Sequence, residues 1–523
     1  MEMPLTPLEF ARRARKLYPT REAVVDGALR FTYAQFGERC DRWSAALQRL
    51  GVRHGDRVGT IALNTHQHLE QFYAVPQIGA VVVPMNHRLT ADDFVYLVNH
   101  SGCKVLCVHA DFLPIVDSVR DRMTEVRHFV AFEGNKPGWL EYEALLGEGS
   151  GAFDQPLIEE TDLIAINYTS GTTARQKGVM NTHRNAWTNS VGTLVHWPMT
   201  AADRYLWTVP MFHANGWTFT WIVTAVGGTH VCLRKVDATT VYESINRERI
   251  TTLGAAPTVL ITLANGPEAE RKQLRGGVRL LTGGAPPAAA TIERLEGELG
   301  WDVTQIYGLT ESGPFISMCN LLPAQREASS AERAVFKARQ GVELITSGEL
   351  RVVDRDLNDV PRDGRTIGEI VARGNVVMKG YFNDPEATAA AFAGGWFHSG
   401  DAAVVHPDGY VEVRDRFKDV IISGGENISS IEVEGALLRH PAVLEVAVVG
   451  MPHEKWGESP AAFVVTQPGA AVSGAELRDF ARGVLAHFKV PTAFNFVSTL
   501  PKTATGKIQK YVLRGGRAGI SHQ

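Results

Sequence analysis

Cysteine is scarce. The chain of 523 residues holds five, Cys40, Cys103, Cys107, Cys232 and Cys319. An odd, scattered set argues against a disulfide scaffold and fits a reducing cytoplasm. Cys103 and Cys107 are spaced C-x-x-x-C with no second ligand pair nearby, so no zinc site is expected, because zinc needs about four ligands. A strong charge of one sign is also missing. The net charge of -4 gives no footing for nucleic acid or an anionic membrane as the main partner. No run of ~20 apolar residues is present to span a bilayer. Met1 to Pro7 has neither the basic nor the apolar region of a secretory signal, so none is expected. Two catalytic motifs are absent as well, the Gly-x-Ser-x-Gly elbow of serine hydrolases and the Walker A phosphate loop.

What is present reads as an ordinary globular protein, 44% apolar and 21% charged. The length exceeds one hydrophobic core, so two or more domains are expected. Helices are predicted over residues 8–17, 32–50, 66–78 and 91–101, with strands at 57–63, 80–85 and 104–109 between them. This alternation predicts an α/β fold, with parallel or mixed sheets flanked by helices. It continues through a helix at 183–197 and strands at 162–167, 204–210, 229–233, 251–255, 278–282 and 303–306. From about 341 short β segments with Gly and Asp turns predict a small β-rich subdomain. About 100 residues of mixed pattern after Asp419 predict a small α+β C-terminal domain.

The most informative stretch is Tyr168 to Val179, which reads Tyr-Thr-Ser-Gly-Thr-Thr-Ala-Arg-Gln-Lys-Gly-Val. Glycines let backbone N–H groups approach an anion, hydroxyls add donors and Lys177 adds a charge suited to phosphate. Taken alone it is equally a Ser/Thr-rich turn. Further along, Tyr307-Gly308-Leu309-Thr310-Glu311 offers a strand-end aromatic and a carboxylate suited to Mg²⁺. Asp401, in Ser399-Gly400-Asp401, could accept two hydroxyls. Lys507 sits in a second small-residue loop, Thr505-Gly506-Lys507.

Together and in this order, these motifs resemble the adenylate-forming superfamily of acyl-CoA synthetases, adenylation domains and beetle luciferases. Phe212-His213, Gly283-Gly284-Ala285-Pro286, Asp415 to Asp419 and Gly424-Gly425-Glu426-Asn427-Ile428 add to the resemblance, which covers nearly the whole chain. It implies an AMP-binding N-terminal domain over 1–415, a hinge at 416–418 and a mobile C-terminal domain over 419–523. It implies an acid–thiol ligase that makes acyl-AMP from a carboxylate and ATP, then transfers the acyl group to coenzyme A.

The roles implied follow residue by residue. Thr169, Ser170, Gly171, Thr172, Thr173 and Lys177 would hold the β- and γ-phosphates. Glu311, with Thr169 beside it, would hold Mg²⁺, and Thr310 belongs to the same motif. Tyr307, Gly308, Gly283, Gly284 and Ala285 would flank the adenine. Asp401, helped by Arg416, would take the ribose. Lys507, His213 and Glu311 would be catalytic, Lys507 meeting the carboxylate and α-phosphate. The small domain would turn about Lys418 and bring Gly424 and Gly425 to the thiol tunnel. Trp456 would either stack on the CoA adenine or pack inside its domain. Trp217 and Trp221 would wall the acyl pocket, which resembles that of fatty acyl-CoA synthetases, although an aryl or polycyclic acid suits an aromatic wall equally. Family members usually carry Gly and Pro where this chain has Ala174 and Gln176, which implies a loop set differently and weaker ATP use. A separate carrier protein as thiol acceptor, a homodimer and a catalytically dead scaffold stay open, the last opposed by the presence of Lys507, Glu311 and Asp401.

Overall fold

The computed structural model describes residues 3–169, 175–424, 426–503 and 507–515. Two large sheets organise the first four-fifths of the chain. One has eight strands. Its parallel centre is Arg57–Ile61, Val81–Met85, Cys103–Val108 and His128–Ala131. Leu163–Thr169 joins it in parallel beside Val81–Met85, then turns back antiparallel as Lys177–Thr182. The other has nine strands. Arg204–Leu206, Thr229–Val231, Thr252–Ala255, Arg279–Thr282 and Asp302–Tyr307 run parallel, and Ser317–Cys319 is antiparallel at one side.

These strands read as near-continuous Val, Ile and Leu runs because both faces of each sheet are covered. One core cluster draws Val58, Val82 and Ile164 from the first sheet together with Val24, Tyr205 and Trp207 from the second. The helices start where the sequence supplies caps. Thr32 with Gln35, Thr90 with Asp93 and Thr182 with Asn185 each form a capping box that satisfies otherwise unpaired N–H groups. Every residue of His66–Ala74 is buried, although five of its nine are histidine, glutamine or glutamate. Some of the polar groups are met internally: Trp43 donates to Gln71 at 2.9 Å, and Tyr142 donates to Glu70 at 2.6 Å.

A four-stranded antiparallel sheet follows, Glu349–Val353, Gly368–Arg373, Phe397–Val405 and Val411–Arg416. Beyond it the chain builds a separate small sheet. The long hairpin Val443–His453 and Gly457–Thr466 is its centre, packed on helices Ser430–Leu437 and Gly474–Val484 around Val446, Val448 and Leu477. Most predicted elements lie within two residues of their positions. Two depart further: the helix expected over 66–78 ends at Ala74, with a separate 3-10 turn at Pro76–Ile78, and the strand expected at 204–210 stops at Leu206. There Thr208, Val209 and Pro210 leave the sheet because Asn64 captures the backbone. Its Nδ2 donates to the carbonyls of Trp207 and Val209, and its Oδ1 accepts from the N–H of Met211.

Candidate active site

The carboxyl ends of the parallel strands in both large sheets converge on one cleft, which is where ligands bind in such folds. Strand Asp302–Tyr307 ends in a tyrosine whose hydroxyl donates to Asp401 Oδ2 at 2.7 Å. Asp401 is paired in register with Arg416 across the antiparallel sheet. Arg416 Nε lies 2.6 Å from Asp401 Oδ1. One buried carboxylate therefore joins the nine-stranded sheet to the four-stranded one at the point where the chain leaves for the small domain. Burial, reinforced by the Asp401 charge, pushes the Tyr307 hydroxyl far up, so it stays a donor.

After Tyr307 the backbone passes hard against its neighbour. A Cβ on Gly308 would lie 1.9 Å from the carbonyl oxygen of Pro314, so only glycine fits. This close pass sets Glu311 in the short helix Thr310–Ser312. Glu311 Oε1 accepts from the Tyr381 hydroxyl at 2.9 Å, and Lys177 Nζ stands 4.8 Å above the centre of the Tyr381 ring. Lys177 itself faces Thr169 across the hairpin that carries the phosphate loop. Of that loop, Ser170, Gly171, Thr172 and Thr173 lie outside the described residues, as does Gly425.

Lys507 reaches this cleft from the small domain. Burial there pushes its ammonium down to about 8, with Arg416 and Lys418 adding to the push and Asp401 and Asp419 opposing it. Three cations against two carboxylates make a place short of negative charge. His213 is on the opposite side. Burial holds it at about 4, assisted by the Lys507 charge, so it is neutral at pH 7.

Directly after His213 the backbone does something unusual. Ala214, Asn215, Gly216, Trp217 and Thr218 all have positive φ, between 38° and 63°. A left-handed turn costs roughly 1–2 kcal/mol per non-glycine residue, and such strain persists only where the surroundings impose it. They do so here. Asn167 Nδ2 donates to the Phe212 carbonyl and to Asn215 Oδ1, each at 3.2 Å, and Asn181 Nδ2 donates to Asn167 Oδ1 at 3.1 Å. The Thr218 hydroxyl is 2.9 Å from that of Ser190. The turn buries Trp217, its ring against Gly254 and Gly284 and 5.9 Å from Phe315. Trp221 is buried too, edge-on to Phe72 and Tyr73. Between these parts is a cavity of about 10 Å³, lined by Asn181, Ala214, Asn215, Thr218, Trp221 and Gly313 among others. That is room for one water.

The predicted residues thus split into groups. Tyr307, Asp401, Arg416, Lys507 and His213 share one charge field. Glu311 and Lys177 meet through Tyr381. Gly284, at φ 85°, lies beside Trp217 as well as in the expected adenine loop. Trp456 is 42% exposed and stacks on His453 at 4.5 Å, so it is not domain core. Its carbonyl accepts from the N–H of Gly424 at 2.9 Å. Reading the sequence missed Tyr381, which sits in a two-residue edge strand without a motif. It also missed the left-handed turn, although the Asn215-Gly216 dipeptide is a turn signal.

A family model described as "AMP-binding enzyme" matches residues 10–382, and "AMP-binding enzyme C-terminal domain" matches 432–507. The chain belongs to the AMP-binding enzyme family. Among relatives of this AMP-binding enzyme, a peroxisomal trans-cinnamate:CoA ligase of Petunia hybrida is 39% identical, covering 98% of this chain and 94% of that protein. An acetate–CoA ligase of Humulus lupulus is 42% identical, with the same coverage. The crystal structure of an anthranilate CoA ligase in complex with anthranoyl-AMP superposes with a TM-score of 0.88 at 25% identity, over 99% of each chain. The expected fold class is borne out: two large sheet layers, a β-rich subdomain and a small α+β C-terminal unit.

The Gly308 contact makes a sharp prediction. Gly308→Ala should destabilise this enzyme by ~1–3 kcal/mol through overpacking, read as a lower thermal midpoint. An unchanged midpoint would show that the Pro314 carbonyl moves aside freely.

Proposed function

We propose that the site activates a compact hydrophobic carboxylic acid with ATP and passes the acyl group to coenzyme A. The chain is an AMP-forming acid–CoA ligase, and the small-molecule substrates of that class are ATP, the acid and CoA. In the first half-reaction a carboxylate oxygen attacks the α-phosphorus and pyrophosphate leaves. In the second the CoA sulfur attacks the acyl carbon and AMP leaves with the bridging oxygen.

The residues suit these steps. Lys177 and the loop from Thr169 bind the β- and γ-phosphates through charge and backbone donors. Both Asp401 oxygens already accept one bond each, from Tyr307 and Arg416. Each keeps a further lone pair for a ribose hydroxyl. Lys507 lies where the acid and the α-phosphate crowd negative charge, and stabilisation of this kind contributes roughly 3–4 kcal/mol. His213, being neutral, borders the acid without competing for its charge.

Glu311 fits Mg²⁺. Tyr381 occupies one of its oxygens and leaves the other for a hard cation. No cluster of three metal-binding His, Cys, Asp or Glu side chains is present among the described residues; Glu311 would hold the ion together with the ATP phosphates. When bound, the ion neutralises charge on the departing pyrophosphate.

The second half-reaction needs different surroundings, so residues 419–523 turn about 416–418 between the steps. Polar contacts beside the hinge favour this. Ser430 donates to Asp415 from its N–H at 2.8 Å and its hydroxyl at 2.6 Å, and Arg514 pairs with Asp419 at 2.8 Å. Trp456, exposed beside Gly424, is then available to the CoA adenine. Five free, buried cysteines suit a reducing compartment, and we favour the cytosol. No helix among the described residues is long and apolar enough to cross a membrane.

The observation that carries the acid's size is Trp217. Held by the left-handed turn and packed against Gly254, Gly284 and Phe315, it closes the acyl end of the cleft, and the cavity that the turn and Trp221 line holds only about 10 Å³. Pyrophosphate exchange across acetate, butyrate, octanoate, palmitate, benzoate and cinnamate should favour the short and single-ring acids. Trp217→Gly should shift the optimum to longer acids while ATP KM stays the same. A parent enzyme that prefers palmitate would contradict the assignment.

Acid–base behaviour gives a second test. Lys507 is charged below about pH 8 in the free enzyme. Its contribution is therefore complete at lower pH and lost as pH rises through that value. kcat/KM for adenylation should fall above about pH 8, and Lys507→Arg, with weaker activity, should lose that limb. The same alkaline limb in Lys507→Arg would assign it to another group.

A further inference from the structure

The phosphate loop of this chain has Ala174 and Gln176 where the family usually carries glycine and proline, so its C-terminal end lacks a fixed φ. Its two ends are held in another way. Helix Ala91–Ser101 is itself well fixed, with a capping box at Thr90, a left-handed C-cap at Gly102, and Phe94, Leu97 and Val98 buried. Tyr96 and His100 are one turn apart and therefore share a face.

That face meets both ends of the loop. The Tyr96 hydroxyl donates to the carbonyl of Gln176 at 3.0 Å, and the Arg175 guanidinium lies 5.4 Å above the Tyr96 ring. His100 Nδ1 lies 2.7 Å from the hydroxyl of Tyr168, the residue before Thr169. The rings continue the support: Tyr96 to His100 is 5.4 Å and His100 to Phe382 is 6.0 Å. Phe382 donates its N–H to the carbonyl of Gly178 at 2.7 Å. The hairpin ladder ends at Thr169 and Lys177, so Gln176 has no register partner in it.

We propose that Tyr96 and His100 are positioning residues, a clamp that sets both ends of the phosphate loop and replaces the restraint proline would give at position 176. This rests on the reading that the loop from Thr169 to Lys177 holds the phosphates of ATP. The clamp fixes where Thr169 and Lys177, the described ends of the loop, stand before ATP arrives, so its loss weakens ATP capture. The acid and CoA bind elsewhere and are not affected.

Steady-state kinetics of the full chain test this. Tyr96→Phe keeps the ring and its contact with Arg175 but removes the hydrogen bond. ATP KM should rise about threefold to tenfold, the range of one hydrogen bond. kcat and the KM values for acid and CoA should stay within about twofold. Tyr168→Phe, which cuts the other contact, should act in the same direction. Gln176→Pro restores a fixed φ and restrains Arg175 as well. In that background Tyr96→Phe should cost less than about twofold, because the two restraints do the same work. An unchanged ATP KM in Tyr96→Phe, an equal rise in both backgrounds, or an equal rise in all three KM values would overturn the clamp while the functional reading stands. A parent enzyme whose turnover does not need ATP would overturn that reading and the clamp with it.

Discussion

One buried carboxylate holds this site together. Asp401 accepts from Tyr307 at the end of a parallel strand and pairs with Arg416 on the neighbouring antiparallel strand. A buried charge is tolerable only when partnered, and removing one partner of such a pair typically costs about 3–5 kcal/mol. The contact therefore fixes the distance between the nine-stranded sheet and the β-rich subdomain. It also fixes where Arg416 begins the path to the small domain. Lys507 then enters a field already containing Arg416 and Lys418, where burial, reinforced by those two charges, lowers its basicity. In the proposed reaction, the polyphosphate and the acid bring negative charge into that field.

Strain is concentrated in the turn from Ala214 to Thr218, the side proposed to face the acid. Five consecutive residues in left-handed geometry would not survive on a surface loop. Here Asn167 and Asn181, on the two strands of the phosphate-loop hairpin, hold the turn through Phe212 and Asn215. In the proposed reading, the hairpin that presents the phosphate loop is thus the same hairpin that sets the acyl wall. A change in either must be felt in the other, which gives a physical reason for the Trp217 ring to be placed so firmly against Gly254 and Gly284.

The sequence was most readable where chemistry and periodicity coincide. The β-α alternation predicted the parallel sheets, and the capping residues Thr32, Thr90 and Thr182 fall where helices begin. Tyr307, Asp401, Arg416 and Lys507 could each be named from motifs, and the structure brings them together. What escaped were relations without a local pattern. Tyr381 acts through a two-residue strand, and its link to Glu311 and Lys177 depends on tertiary approach alone. Tyr96 and His100 look like ordinary helix-surface residues until the hairpin is laid over them. Thr208 to Pro210 reads as strand, but a single asparagine, Asn64, 143 residues before Trp207 and 145 before Val209, bonds the backbone there. Tertiary contact overrides propensity at such points.

The central claim is that an acid oxygen bonds to the α-phosphorus of ATP in the cleft between Asp401, Lys507 and His213. The most direct measurement follows that oxygen. The enzyme is incubated with ATP, CoA and a compact carboxylic acid labelled with ¹⁸O in both carboxyl oxygens, and the nucleotide products are weighed by mass spectrometry. The account predicts AMP carrying one ¹⁸O, with unlabelled pyrophosphate. Formation of ADP, with the label in inorganic phosphate, would contradict it.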